Sequence, residues 1–61
     1  MKIILADSNE LIRIGMRTVL SSEKNLEIVG EATNNDELTS LIQSFGCDVV
    51  LIDYTSYGFT I

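Results

Sequence analysis

With 61 residues, four basic against nine acidic side chains and a formal charge of −5, the chain makes at most one small acidic domain. That balance excludes sequence-independent nucleic-acid binding, which depends on clustered Lys and Arg neutralising phosphates. One cysteine and no histidine exclude an internal disulfide and a Cys/His zinc centre.

The first element is Lys2 to Ala6 (KIILA), a short unbroken apolar run that predicts a strand buried on both faces. Asp7, Ser8 and Asn9 interrupt it, and all three are favoured helix N-caps. Leu11, Ile12, Met16, Val19 and Leu20 then recur at helical spacing, with Arg13, Arg17 and Thr18 mainly on another side. This predicts an amphipathic helix of about three turns, ended by the polar stretch 21–25. Residues 26–31 (LEIVGE) predict a second strand; Glu27, Gly30 and Glu31 dilute its apolar content, as suits a sheet edge.

Asn34 followed by Glu37 resembles a capping box. Leu38, Leu41, Ile42 and Phe45 recur at i, i+3, i+4 and i+7, the clearest helical period in the chain. Gly46 falls where a left-handed residue ends such a helix. Residues 48–53 (DVVLID) predict a third strand, β-branched and apolar inside. Cys47, just before it, reads as a small buried hydrophobe rather than a reactive thiol. Tyr54, Tyr57 and Phe59 read as core or interface packing rather than a ligand-stacking platform.

The order β-α-β-α-β predicts a parallel sheet with crossover helices. The more apolar first and third strands are expected side by side, giving the spatial order 2-1-3. Right-handed crossovers in opposite directions then put the two helices on opposite faces. This is the first part of the flavodoxin-like, doubly wound α/β order. A domain this small buries only about 60% of the surface its unfolded chain exposes. The free edge of the third strand is a template for pairing. Dimerisation is therefore expected to complete the fold, either by antiparallel pairing of third strands (2-1-3-3′-1′-2′) or by swapping of a terminal element.

In open α/β sheets ligands bind beyond the carboxyl ends of the strands, where the connections diverge. Asp7 ends the first strand and Asp53 the third, so the predicted order brings two carboxylates to one crevice. Such a pair suits a hard cation such as Mg²⁺, and an aspartate can also accept a phosphoryl group. Each is equally an ordinary end-of-strand or capping residue, and on spacing alone both readings stand. A small Mg²⁺- or nucleotide-binding enzyme is disfavoured: no glycine-rich phosphate loop follows any strand, and no histidine is present for general-base work.

Three segments, KIILADSNELIRIGMRTVL, EIVGEATNNDEL and DVVLIDYTSYG, resemble the N-terminal half of a response-regulator receiver domain. The receivers in question belong to two-component systems and are usually joined to a helix-turn-helix DNA-binding domain that regulates transcription. The resemblance runs in register along residues 1–61, which on this reading form one partial, truncated receiver domain. It implies that Asp53 is the phosphoacceptor, charged by a sensor histidine kinase, and that the chain is not an enzyme in its own right.

The resemblance also implies Mg²⁺ held by Asp7, Asp53 and the backbone carbonyl of Thr55. Ser8 stands at the usual direct-ligand position, where the family has a second acid. A hydroxyl there removes one negative charge and one strong donor, so the ion is expected to bind weakly or not at all. Tyr57 replaces a common proline before Gly58, and Cys47 one before the third strand. The first replacement leaves φ free and restores an N–H, so a less fixed loop after Asp53 is expected.

Arg13 and Arg17 fall on a helix that contributes to kinase docking in the family, although a solvated face is the plainer reading. The family's phosphoryl-contacting hydroxyl and lysine lie on later strands and have no counterpart here. The piece alone is therefore expected to be inactive and self-associating, an alternative being a non-phosphorylated module used only for interaction. No apolar stretch approaches the ~20 residues of a membrane span, and a cytoplasmic location without membrane attachment is expected.

Overall fold

The computed structural model describes residues 1–53, 58 and 59. Its elements run β1 (Lys2–Ala6), α1 (Glu10–Leu20), β2 (Glu27–Ala32), α2 (Asn35–Phe45) and β3 (Val49–Ile52). They form one three-stranded sheet in the order β2-β1-β3, with both neighbours parallel to β1. The expected architecture and spatial order are both found. The second strand begins and ends one residue later than its apolar run suggested, and the third is shorter by one residue at each end.

β1 is the centre of the domain. Ile3 is 2% exposed, and Ile4, Leu5 and Ala6 are fully buried. An uninterrupted apolar strand fits this place because side chains on both of its faces leave water.

The helices cover opposite faces of the sheet. A Cβ built on Gly30 would lie 2.7 Å from Leu41 Cδ2 of α2, whereas the adjacent Glu31 meets Arg13 and Arg17 of α1. Successive residues of a strand point to opposite faces, so the two helices are on opposite sides. Gly30 is therefore a close-approach position for α2 as well as a sign of an edge strand. The register of β1 against β2 slips between Ile3, opposite Ile28, and Ile4, opposite Gly30.

α1 starts at Asn9, whose extended backbone (φ −90°, ψ 115°) lets its side chain accept from the Leu11 and Ile12 N–H groups. These are donors that the first helical turn leaves without an intrahelical acceptor. α2 starts at Asn34, whose Oδ1 accepts from Glu37 N at 2.9 Å. The reciprocal half of the box is displaced by one residue, because the Glu37 carboxylate accepts from Thr33 N at 2.7 Å and from the Thr33 hydroxyl. Gly46 ends the helix and donates its N–H to Ile42 O; its φ of 66° is positive as expected, but its ψ of 175° is extended and not left-handed helical.

Both helices bury less than their periodicity suggests. Leu38 and Leu41 pack with Val50 against Ala6, Ala32 and Phe59, but Ile42 and Phe45 remain 43% and 58% exposed. Leu11 and Val19, assigned to the buried face of α1, are 78% and 69% exposed. Each helix touches a sheet only three strands wide along a narrow seam, and among the described residues nothing covers the apolar side chains outside that seam.

Candidate functional site

The parallel ladder carries Asp7 and Asp53 to the same rim. Leu5 pairs with Leu51 and Ala6 with Ile52; advancing this register by one more residue sets Asp7 beside Asp53. The backbone ties them there: Asp53 N donates to Ala6 O at 3.1 Å, and Asp7 N donates to Ala32 O, also at 3.1 Å. Both aspartates line one hollow with Ile12 and Met16 of α1 and Leu51 and Ile52 of β3. The crevice anticipated from strand order therefore exists.

The two carboxylates sit in different surroundings. Asp7 is 2% exposed, and its Oδ1 accepts from Asn9 N at 2.8 Å. It does not cap α1, since Asn9 does so; instead it closes the turn between β1 and the helix. Asp53 is exposed and has interactions of its own. A buried carboxylate needs hydrogen bonds to offset lost hydration, whereas an exposed one is open to an incoming group. Ser8 is half-buried between Asp7 and the cap.

The donor chemistry fits a hard cation, though weakly. Two carboxylates face one hollow, and Mg²⁺ is commonly held by one or two carboxylates completed by water. Among the described residues, no group of three or more His, Cys, Asp and Glu side chains is placed to hold a metal ion. Thr55, expected to add a carbonyl, lies outside the described residues, as do Tyr54 and Tyr57.

The segment after Asp53 is anchored where it re-enters the described structure. Gly58 (φ 99°) accepts from Asn35 N at 3.0 Å, and a Cβ there would lie 2.9 Å from the Thr33 carbonyl oxygen. Phe59 is 4% exposed and joins the core with Ala6 and Ala32. Core packing is thus found for this aromatic. Gly58 lies against the start of α2; the expectation of a less fixed loop at Tyr57 falls outside the described residues.

Arg13 corrects the expectation of a solvated face. Its side chain is only 13% exposed, with Nε 3.3 Å from Glu31 Oε1, and its Nη1 donates to the Asp7 carbonyl at 2.6 Å. Arg17, 49% exposed, reaches the other oxygen of Glu31 at 2.5 Å. α1 crosses the sheet so that an arginine one turn past the Asn9 cap points back over the carboxyl ends of β1 and β2. The spacing Asp7-x₅-Arg13 was the available sequence signal, but it needed that crossing to become meaningful. Glu37, fully exposed, is held below the ordinary glutamate range chiefly by the Thr33 hydroxyl, then by the Thr33 N–H, with a smaller contribution from Arg13.

Among the described residues, no helix is long and apolar enough to cross a membrane. The chain is 30% identical over 57 residues to the transcriptional regulatory protein LiaR of Bacillus subtilis, covering 93% of the chain and 27% of that protein. It is 34% identical over 56 residues to the response regulator UvrY of Escherichia coli, covering 92% and 26%. Against the response regulator VraR of Staphylococcus aureus the figure is 31% over 52 residues, covering 85% and 25%.

The chain thus spans about a quarter of the length of these curated relatives. No protein-family model and no solved structure matches it at a significant level. Matched to these proteins along most of its length, and folded with strand order β2-β1-β3, the chain is related to the response regulators and carries the β-α-β-α-β portion of a receiver-type fold.

Proposed function

We propose that the chain is a receiver segment of a two-component phosphorelay in which Asp53 is the phosphoacceptor. The observation that carries this reading is the juxtaposition of exposed Asp53 with buried Asp7 at the carboxyl ends of neighbouring parallel strands. The donor is the phosphohistidine of a sensor kinase. A carboxylate oxygen of Asp53 attacks phosphorus; a P–O bond forms while the donor's P–N bond breaks, and the imidazole leaves and is reprotonated. Asp7, Asp53 and the Thr55 carbonyl would hold Mg²⁺, which when bound screens repulsion between the carboxylate and the incoming phosphoryl group.

Two features make these 61 residues poor at the transfer by themselves. Ser8 withholds one carboxylate from the cation. The family brings a hydroxyl and a lysine to the phosphoryl group from later strands, which lie outside residues 1–61, and stabilising the developing charge depends on such preorganised donors. Acetyl phosphate with Mg²⁺, followed by intact-mass measurement, tests the assignment. Trace labelling is expected, abolished by Asp53→Asn and increased by Ser8→Asp. Labelling that survives Asp53→Asn, or no labelling even with Ser8→Asp, refutes the acceptor role; near-complete labelling of the unmodified chain refutes its inertness.

A second reading, a half-receiver that serves only for self-association, is favoured by apolar exposure along one side. Ile12, Leu51 and Ile52 are 49%, 37% and 39% exposed, and β3 has no strand beyond it among the described residues. A second copy pairing along β3 would cover them and complete the sheet. Sedimentation giving a folded monomer at micromolar concentration would remove this reading.

A further inference from the structure

Arg13 is drawn into the carboxyl rim of the sheet, and its two contacts serve different ends. Through Nη1 it binds the Asp7 carbonyl at 2.6 Å, and through Nε it meets Glu31 Oε1 at 3.3 Å. The guanidinium therefore links Asp7, the residue directly after β1, the penultimate residue of β2 and α1 itself. A planar fork with several fixed donors suits such a three-way tie, whereas an ammonium is a single point charge.

The turn being held is the one that matters chemically. Asp7 Oδ1 accepts from Asn9 N at 2.8 Å, Asn9 caps α1, and Ser8 lies between them. Arg13 N in turn donates to Asn9 O at 3.1 Å, so the arginine's own helix turn begins at the segment its side chain restrains. The loop is closed from both ends.

We propose that Arg13 is a positioning residue for the carboxylate crevice: by clamping the Asp7 carbonyl against Glu31 it fixes the turn that sets Asp7 in one hollow with Asp53 and holds Ser8 next to it in the chain. The functional part of this inference rests on the crevice reading above. Arg17 supplies an internal comparison, because it binds the same glutamate at 2.5 Å from one turn further along α1.

Charge and geometry make opposite demands on the test. Removing a cation from the rim would by itself favour binding of another cation, so a neutral substitution mixes two effects. Arg13→Lys keeps the charge and removes the fork.

The test measures amide exchange at Asn9 and Mg²⁺ affinity by titration of the backbone amide signals of position 8 and Asn9. Exchange is followed in the otherwise unmodified chain and affinity in the Ser8→Asp background, each with Arg13→Lys or Arg17→Lys added. Arg13→Lys is expected to speed Asn9 exchange and to weaken Mg²⁺ about tenfold, the scale of losing an outer-shell partner. Arg17→Lys should change both by less than about twofold, as for an exposed ion pair.

Unchanged Asn9 exchange in Arg13→Lys, or equal effects of the two lysine variants, overturns the proposal. A gain in Mg²⁺ affinity in Arg13→Lys overturns it too, since with the charge kept the fork would then hinder the crevice instead of positioning it. If the Ser8→Asp parent binds no Mg²⁺, the crevice reading fails on its own, and the exchange comparison still decides whether Arg13 holds the turn.

Discussion

Replacing Gly58 by alanine tests how the segment beyond Asp53 is seated. Two costs arise at this position. At φ 99° an L-residue is strained, which is worth about 1–3 kcal/mol where the surroundings hold it. The added Cβ would also lie 2.9 Å from the Thr33 carbonyl oxygen and 3.2 Å from Asn34 Cβ. No rotamer change moves a backbone oxygen, so relief requires withdrawing the Gly58–Phe59 strap and weakening the hydrogen bond from Asn35 N. A total of roughly 2–4 kcal/mol follows from the backbone strain and the overpacking together.

Against the roughly 3–5 kcal/mol that a core of this size rarely exceeds, the loss is most of the stability. Urea unfolding followed by circular dichroism at one fixed protein concentration measures it. Gly15→Ala provides the opposite case: among the described residues nothing outside its own helix backbone lies within 4 Å of its built Cβ, and it sits inside α1. It should stabilise by about 0.5–1 kcal/mol through helix propensity. A Gly58→Ala chain within about 0.5 kcal/mol of the parent, a normal surface-substitution effect, would refute the strap.

Gly30→Ala pushes into Leu41 Cδ2 at 2.7 Å, the end of a side chain able to shift; a loss of about 1–2 kcal/mol is expected. Double-mutant denaturation with Leu41→Ala should give a clearly non-additive result, and strict additivity would mean that α2 does not approach β2 there. Asn9→Ala removes the acceptor for Leu11 and Ile12 N–H and should cost about 1 kcal/mol in the same assay. The folded-state pKa of Glu37 is lowered by Thr33, so its stabilisation is present above the ordinary glutamate value and lost as pH falls through the lowered one. A Glu37→Gln chain should differ most from the parent in urea midpoint near neutral pH and converge with it on acidification.

Much of this arrangement was legible from pattern alone. Two apolar runs, KIILA and VVLI, are each followed directly by an aspartate, and their adjacency follows from strand apolarity and right-handed crossovers. From that adjacency the Asp7–Asp53 rim follows without knowledge of any side-chain contact. Asn34 and Gly46 announced the ends of α2 because capping is local chemistry.

What was not legible depends on contacts distant in sequence. Arg13 finds Glu31 only because α1 crosses β2, and helical periodicity assigns an arginine to the polar side without saying what it touches. Leu11 and Val19 satisfy the apolar period of α1, yet the period fixes a stripe and not the width of the surface available to cover it. Gly30 read as dilution of an edge strand, whereas the nearness of Leu41 gives a second reason for glycine there.

Paramagnetic broadening by Mn²⁺ of the backbone amides in the Ser8→Asp chain tests the shared rim most directly. Asp7 and Asp53 are 46 positions apart in the sequence, so only the parallel β1–β3 pairing brings them to one ion. The account predicts that the amides of residues 7–9 and of Asp53 broaden together at low Mn²⁺, and that Asp53→Asn weakens both effects. Broadening confined to one of the two segments, or spread evenly over the acidic surface, would contradict it.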